Sequence, residues 1–169
     1  MQPAATPREI RESIRRGQWV KPTSGLAPAF AQANLVILDR SLAFEFLLFC
    51  VRNPKPCPVL EVLEPGGFEP RITAPGADIR TDVPLYRVWK RGELHAETPE
   101  IRAHWDGDMV SFLLGCSFSF ESALLASGIP IRNIEEGRNV SMYITNRPCI
   151  PAGRFSAPLV VSMRPIPDD

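Results

Sequence analysis

Residues 34–54 read NLVILDRSLAFEFLLFCVRNP, and this stretch decides the fold class. Asn34 to Leu38 is an apolar run with the length and β-branched content of a short buried strand. Asp39 or Ser41 can then cap a helix running through Leu42 to Arg52. That helix ends at Asn53, because a proline at 54 disfavours the α conformation in the residue before it. It is apolar on nearly every face, which predicts a position inside the fold, with Cys50 as a packing residue. A strand that feeds directly into a buried helix points to mixed α/β architecture in layers.

The flanking sequence extends this reading. Thr6-Pro7-Arg8-Glu9 has the form of a capping box with proline at the first helical position. Ile10 and Ile14 then share a face, and Arg11, Arg15 and Arg16 lie toward the end, where Gly17 stops a solvated amphipathic helix. Pro58 to Glu64 reads as a strand, Pro65-Gly66-Gly67 as a turn, and Tyr86 to Lys90 with Glu93 to Glu97 as a hairpin about Arg91-Gly92. Residues 58–97 therefore form a strand-rich subdomain, with 1–57 and 98–169 as the main α/β domain. Asp106 or Asp108 is expected to open a helix through Met109 to Leu114, and Ser119 another through Ala126, closed by Gly128 and Pro130. Asn139 to Thr145 and Leu159 to Met163 have strand character. The expected fold is a layered α/β sandwich with a small strand-rich subdomain.

Composition narrows the function classes. The chain has 169 residues, 44% of them hydrophobic, and its 19 basic and 19 acidic side chains cancel. It has the composition of a chain with a real core, and no global field draws it to nucleic acid or an anionic membrane. Glu9 and Glu12 interleave with the arginines of the first helix and argue against a nucleic-acid patch there. The most apolar stretch, Leu42 to Val51, contains Glu45 and falls short of the ~20 residues needed to span a bilayer. The N-terminus lacks an apolar signal segment, which predicts a cytoplasmic protein whose cysteines at 50, 57, 116 and 149 stay reduced. They show no C-x-x-C pairing, and only His95 and His104 are available beside them, so no metal site is expected.

Four segments carry polar groups suited to chemistry. In Gly115-Cys-Ser-Phe-Ser-Phe-Glu121, Ser117, Ser119 and the amides of a helix start could hold a carboxylate or oxyanion. Glu121 there is either an acid/base group or a capping-box residue, and Cys116 either a nucleophile or a structural thiol. In Ile134-Glu-Glu-Gly-Arg-Asn139, the adjacent Glu135 and Glu136 offer acid/base groups, and Arg138 and Asn139 offer carboxylate donors; a loop whose Glu and Arg pair with each other is the alternative. The region from Thr145 to Ser156 supplies Asn146, Arg147, Cys149 and Arg154 on a proline-stiffened backbone. Asp78, Arg80 and Asp82 could bind substrate or form turn caps and a surface ion pair.

Taken together, Gln32 to Leu38, Phe46 to Cys50, Arg52-Asn-Pro-Lys-Pro-Cys-Pro58, Ala74 to Asp78, Gly115 to Glu121, Ile134 to Asn139 and Pro151-Ala-Gly-Arg-Phe-Ser156 closely resemble the YcsI-like hydro-lyase family, to which mitochondrial D-glutamate cyclase is related. The resemblance runs from about residue 6 to residue 165. It implies a bacterial cytoplasmic protein of mixed α/β architecture acting as a carbon–oxygen lyase on a small carboxylate or amino acid. A non-catalytic module binding a small carboxylate, or an inactive truncated homologue, is the alternative. Cyclisation of D-glutamate to 5-oxo-D-proline would use Arg138 with Arg154 or Arg80 as carboxylate clamps, Glu135, Glu136 or Glu121 for proton transfer, and Ser117 and Ser119 at the oxyanion. No metal or organic cofactor is called for. Family members continue past the last strand here, so this chain is expected to lack a C-terminal part, and a second copy in a homo-oligomer would be one cover for a face left bare.

Overall fold

The computed structural model of the chain describes residues 5–166. Its centre is a three-stranded antiparallel sheet in which β5 (Met109–Gly115) lies between β1 (Ala33–Asp39) and β2 (Val59–Val62). Leu35 stands opposite Leu113, and Ile37 opposite Ser111. Side chains on a strand alternate between faces, so the sheet builds two apolar layers. Val110, Phe112 and Leu114 face α2 (Arg40–Arg52) and pack with its Phe46, Phe49 and Cys50. Leu113 faces the other way, against Leu63, Ile79, Leu35 and Trp105. The mixed α/β expectation therefore holds, built on the β1–α2 unit predicted from residues 34–54.

The expected helix through Met109 to Leu114 is instead the central strand β5. A seven-residue apolar run has no periodicity that separates the two states, and every residue from Val110 to Leu114 is buried, as an inner strand requires. Asp106 caps only a turn, accepting the Asp108 amide at 2.9 Å. A second departure concerns α2: it buries Phe46, Phe49 and Cys50, but Phe44 and Val51 are 75% and 64% exposed, so it lies on the sheet as a surface layer. Asp39 does cap it, accepting the Ser41 amide at 2.8 Å.

The remaining elements follow local signals. The helix α1 (Pro7–Arg15) carries the complete Thr6/Glu9 capping box. Strands β3 (Tyr86–Lys90) and β4 (Glu93–Thr98) pair about Arg91 and Gly92, both at positive φ as a two-residue primed turn demands. After β5 a 3-10 turn over Ser117–Phe120 leads into α3 (Glu121–Ala126), and α4 (Arg132–Glu135) is a single turn. β6 (Ser141–Pro148) and β7 (Pro158–Met163) form an antiparallel ribbon. β2 starts the 58–97 stretch and is paired with β5, which ties that stretch to the main sheet through backbone hydrogen bonds.

Cys50, Cys57 and Cys149 meet at the edge of the core. Burial, with Cys57 close by, pushes the Cys50 thiol up to about 11, and burial also raises Cys57. Both stay protonated at neutral pH, which suits packing thiols and not nucleophiles.

Candidate functional site

A wide cleft of about 1540 Å³ opens between α1, the segment leading into β1, β1 itself and the start of β3. Its wall is apolar over Ile10, Ile14, Leu35, Ile37 and Trp105, with polar groups from Arg11, Asn34, Asp82 and Asn139. Cys116 and Phe118 line it, as does Asn139, so residues from two of the segments singled out in the sequence border one cleft.

Behind Phe118 lies a buried polar cluster. Arg164, which follows β7, donates from Nε to Glu121 Oε1 at 2.7 Å. Its Nη1 donates to Ser162 Oγ at 3.0 Å and its Nη2 to Ser117 Oγ at 3.3 Å, and the two hydroxyls are 3.0 Å apart. The Arg164 and Glu121 side chains are only 4% and 9% exposed, so this is a charge pair removed from water and held by hydroxyls. The guanidinium stacks over Phe120 at 4.7 Å and lies 5.6 Å from the Phe118 ring centroid. Glu121 is thus an ion-paired carboxylate and makes no side-chain cap for α3. Ser119 sits beside the cluster with its own commitments: its Oγ accepts the Gln32 amide at 2.9 Å and its amide donates to Cys116 at 3.2 Å.

The other candidates lie apart from this cluster. Glu136 is exposed and pairs with Arg132 at 2.9 Å and Arg138 at 3.8 Å. Glu135 is exposed and makes no ion pair among the described residues. Asn139 accepts its neighbour Val140's amide at 2.9 Å. Arg154 is 69% exposed beside Glu45 of α2, whose carboxylate also accepts the Arg154 amide at 2.9 Å. Arg80 forms a two-point pair with Asp78, at 2.9 and 2.8 Å, and stacks on Phe68 at 3.7 Å. Among the described residues no group of three or more His, Cys, Asp or Glu is arranged to hold a metal ion.

The Asp78–Arg80 pair has a readable pH signature. Burial pushes the Asp78 carboxyl up, but the Arg80 guanidinium and amide outweigh it and hold the group below its ordinary 3.8. A carboxylate depressed by folding contributes stability that is present above its unfolded value and lost as pH falls through the folded one. Unfolding free energy should therefore drop as pH falls below 3.8, and Asp78→Asn should flatten that limb. Urea midpoints recorded from pH 5 down to pH 2 check this.

Two parts of the site, three residues in all, escape a reading of the sequence. Ser162 and Arg164 are two apart at the end of β7, which puts both on one face, and that spacing of polar residues in an apolar strand is the signal that could have found them. Arg11 is the other, on the face of α1 that lines the cleft.

Residues 110–169 match the family described as D-glutamate cyclase. The chain is 70% identical over 164 residues to a Syntrophobacter fumaroxidans protein named "Putative hydro-lyase", covering 97% of this chain and 63% of that protein. Proteins bearing the same hydro-lyase name in Bacillus licheniformis and Geobacillus kaustophilus are 63% and 62% identical, over 96% and 95% of this chain and 62% and 61% of theirs. The chain thus spans 61–63% of the length of these relatives. Ser117, Glu121, Asn139, Ser162 and Arg164 all fall inside the matched 110–169 segment. By these matches the chain belongs to the YcsI-like hydro-lyase family, related to D-glutamate cyclase.

Proposed function

We propose that this protein is a hydro-lyase acting on a small amino acid, closing D-glutamate to 5-oxo-D-proline, with the Glu121–Arg164 cluster at its centre. The buried Glu121–Arg164–Ser117–Ser162 network behind the cleft wall carries the proposal. The carboxylate is taken out of water and set 2.7 Å from a guanidinium with two hydroxyls beside it, a donor and acceptor set suited to proton transfer and charge stabilisation. Ring closure has matching needs. The amine nitrogen bonds to the side-chain carboxyl carbon, one carboxyl C–O bond breaks, and that oxygen leaves as water with two protons drawn from the ammonium.

In this reading Glu121 takes the two ammonium protons in turn and hands each to the departing oxygen, while Arg164 and the Ser117 and Ser162 hydroxyls stabilise charge on the carboxyl oxygens. Phe118 and Phe120 shield the step from water. Asn139 positions the substrate from the cleft wall. Glu135 is exposed and makes no ion pair among the described residues, which leaves it free to serve as a second carboxylate. Glu136 with Arg138, Arg80 with Asp78 and Arg154 with Glu45 have partners in place, and each would have to exchange that partner to hold substrate. Among the described residues no helix is long and apolar enough to cross a membrane.

The test is incubation with D-glutamate and L-glutamate followed by mass spectrometry for loss of water, on this chain and in parallel on the Syntrophobacter fumaroxidans relative. Formation of 5-oxo-D-proline that falls at least ~100-fold in Glu121→Gln supports the assignment. Ligand-induced melting shifts without product would replace it with a carboxylate-binding module.

A further inference from the structure

The face of α1 that lines the cleft is Pro7, Ile10, Arg11 and Ile14, the i, i+3, i+4, i+7 stripe on which a helix buries its apolar side. A charged residue in that stripe needs a reason. The Arg11 side chain is only 20% exposed, and its Nε is shut off from solvent with no hydrogen-bond partner among the described residues. The nearest carboxylate oxygen, Asp82 Oδ2, lies 3.7 Å from that nitrogen, beyond hydrogen-bond distance.

Asp82 is also fully engaged. It accepts two donors from Arg15, one at 2.6 Å, together with the Thr81 hydroxyl at 3.1 Å and the Asp78 amide at 2.9 Å. Two guanidinium groups therefore share one carboxylate, leaving a full positive charge beside the cleft. The neighbouring cations differ: Arg8 is matched by Glu12 at 3.1 Å, and Arg87, on the cleft wall, by Glu97 at 2.8 Å. A guanidinium whose Nε has given up water without gaining an acceptor, and whose side chain stays one-fifth exposed on the cleft, is placed to take an anion, and its planar donor array matches a carboxylate.

We infer that Arg11 is the carboxylate-binding point of the cleft, donating to one carboxylate of a small dicarboxylic ligand that lies along the wall formed by Ile10, Ile14, Tyr86 and Trp105. The inference deepens the function proposed above, because it names the group that would hold the substrate at a distance from the reacting centre. Binding can be read apart from turnover with glutarate, which has two carboxylates and no amine and so cannot cyclise.

The experiment titrates glutarate, and separately inorganic phosphate, into the ¹⁵N-labelled full chain while following the Arg11 Nε–H resonance, and repeats the affinity measurement in Arg11→Gln and Arg8→Gln. The expected result is a saturable shift of the Arg11 signal with glutarate, a dissociation constant raised at least about tenfold in Arg11→Gln, and no change in Arg8→Gln. No saturable shift in the wild-type protein, equal affinity in Arg11→Gln, or tighter binding of phosphate than of glutarate overturns the inference. The Arg11 resonance is read on the unaltered protein, so the answer stands even if Arg11→Gln fails to fold. Glutarate binding lost in Arg11→Gln, in a protein that never forms 5-oxo-D-proline, would keep this site and discard the reaction.

Discussion

Replacing Phe112 by alanine should cost about 3–5 kcal/mol of unfolding free energy. The residue sits at the middle of β5, 1% exposed, with Val36 of β1 opposite it on one side and Val62 of β2 on the other. Its ring meets Phe46 of α2 edge-on, with centroids 4.9 Å apart, and Phe46 in turn meets Phe155 at 5.1 Å. Three elements converge on one side chain, so truncation removes transfer energy and leaves a cavity that the sheet cannot close without breaking its ladder. A loss of that size is a large share of the ~5–15 kcal/mol that holds a typical domain together. The check is a urea midpoint that falls sharply at unchanged slope. Phe112→Leu, which keeps most of the volume, should lose much less.

The second large effect concerns the Glu121–Arg164 pair. Arg164→Met or Glu121→Leu alone should destabilise the chain by about 3–5 kcal/mol, because each leaves one charge buried without its partner. Arg164→Met also empties the donor positions at Ser117 and Ser162, which are 3.3 and 3.0 Å from the guanidinium nitrogens. The double replacement should recover a large part of the loss, since two apolar side chains of similar volume satisfy the same space without a desolvated charge. A thermodynamic cycle over the three variants reads the coupling directly. Additive losses would mean that the two residues stabilise the fold independently. Stability regained without activity would separate the structural role of the pair from the proton transfer assigned to it.

How much of this was legible in the sequence depends on how local each signal is. The capping box at Thr6 and Glu9, the Asp39 cap, the Arg91-Gly92 turn and the β6–β7 pattern are written in neighbouring residues, and the structure follows them. Met109 to Leu114 was not legible: its conformation is fixed by pairing with β1 and β2, which come from some 50 to 80 residues upstream, and a short apolar run suits either state. The apolar reading of α2 misled for a related reason, because hydrophobicity does not say whether a second layer lies above Phe44 and Val51, and among the described residues both are exposed.

The same distinction governs the site. Glu121 and Ser117 attract attention by their spacing beside a helix start, but their partner Arg164 lies 43 residues from Glu121 and the ribbon β6–β7 carries it back, while Ser119 takes the Gln32 amide instead. Glu136 and Arg138, which look like chemistry in sequence, are close enough to satisfy each other on an open turn, and Glu136 also takes Arg132 one helical turn away. Arg11 looks solvated because it belongs to a run of arginines; its difference from Arg8 appears only when the helix is laid against the cleft.

The most direct test of the central claim uses the reverse reaction in ¹⁸O-enriched water. Opening of 5-oxo-D-proline by the wild-type chain should place one ¹⁸O in the side-chain carboxylate of the D-glutamate formed, and Glu121→Gln should slow that incorporation at least ~100-fold while still binding glutarate. Wild-type rates of incorporation in Glu121→Gln, or a wild-type chain that binds glutarate and incorporates no label, would contradict a catalytic centre built on the buried Glu121–Arg164 pair.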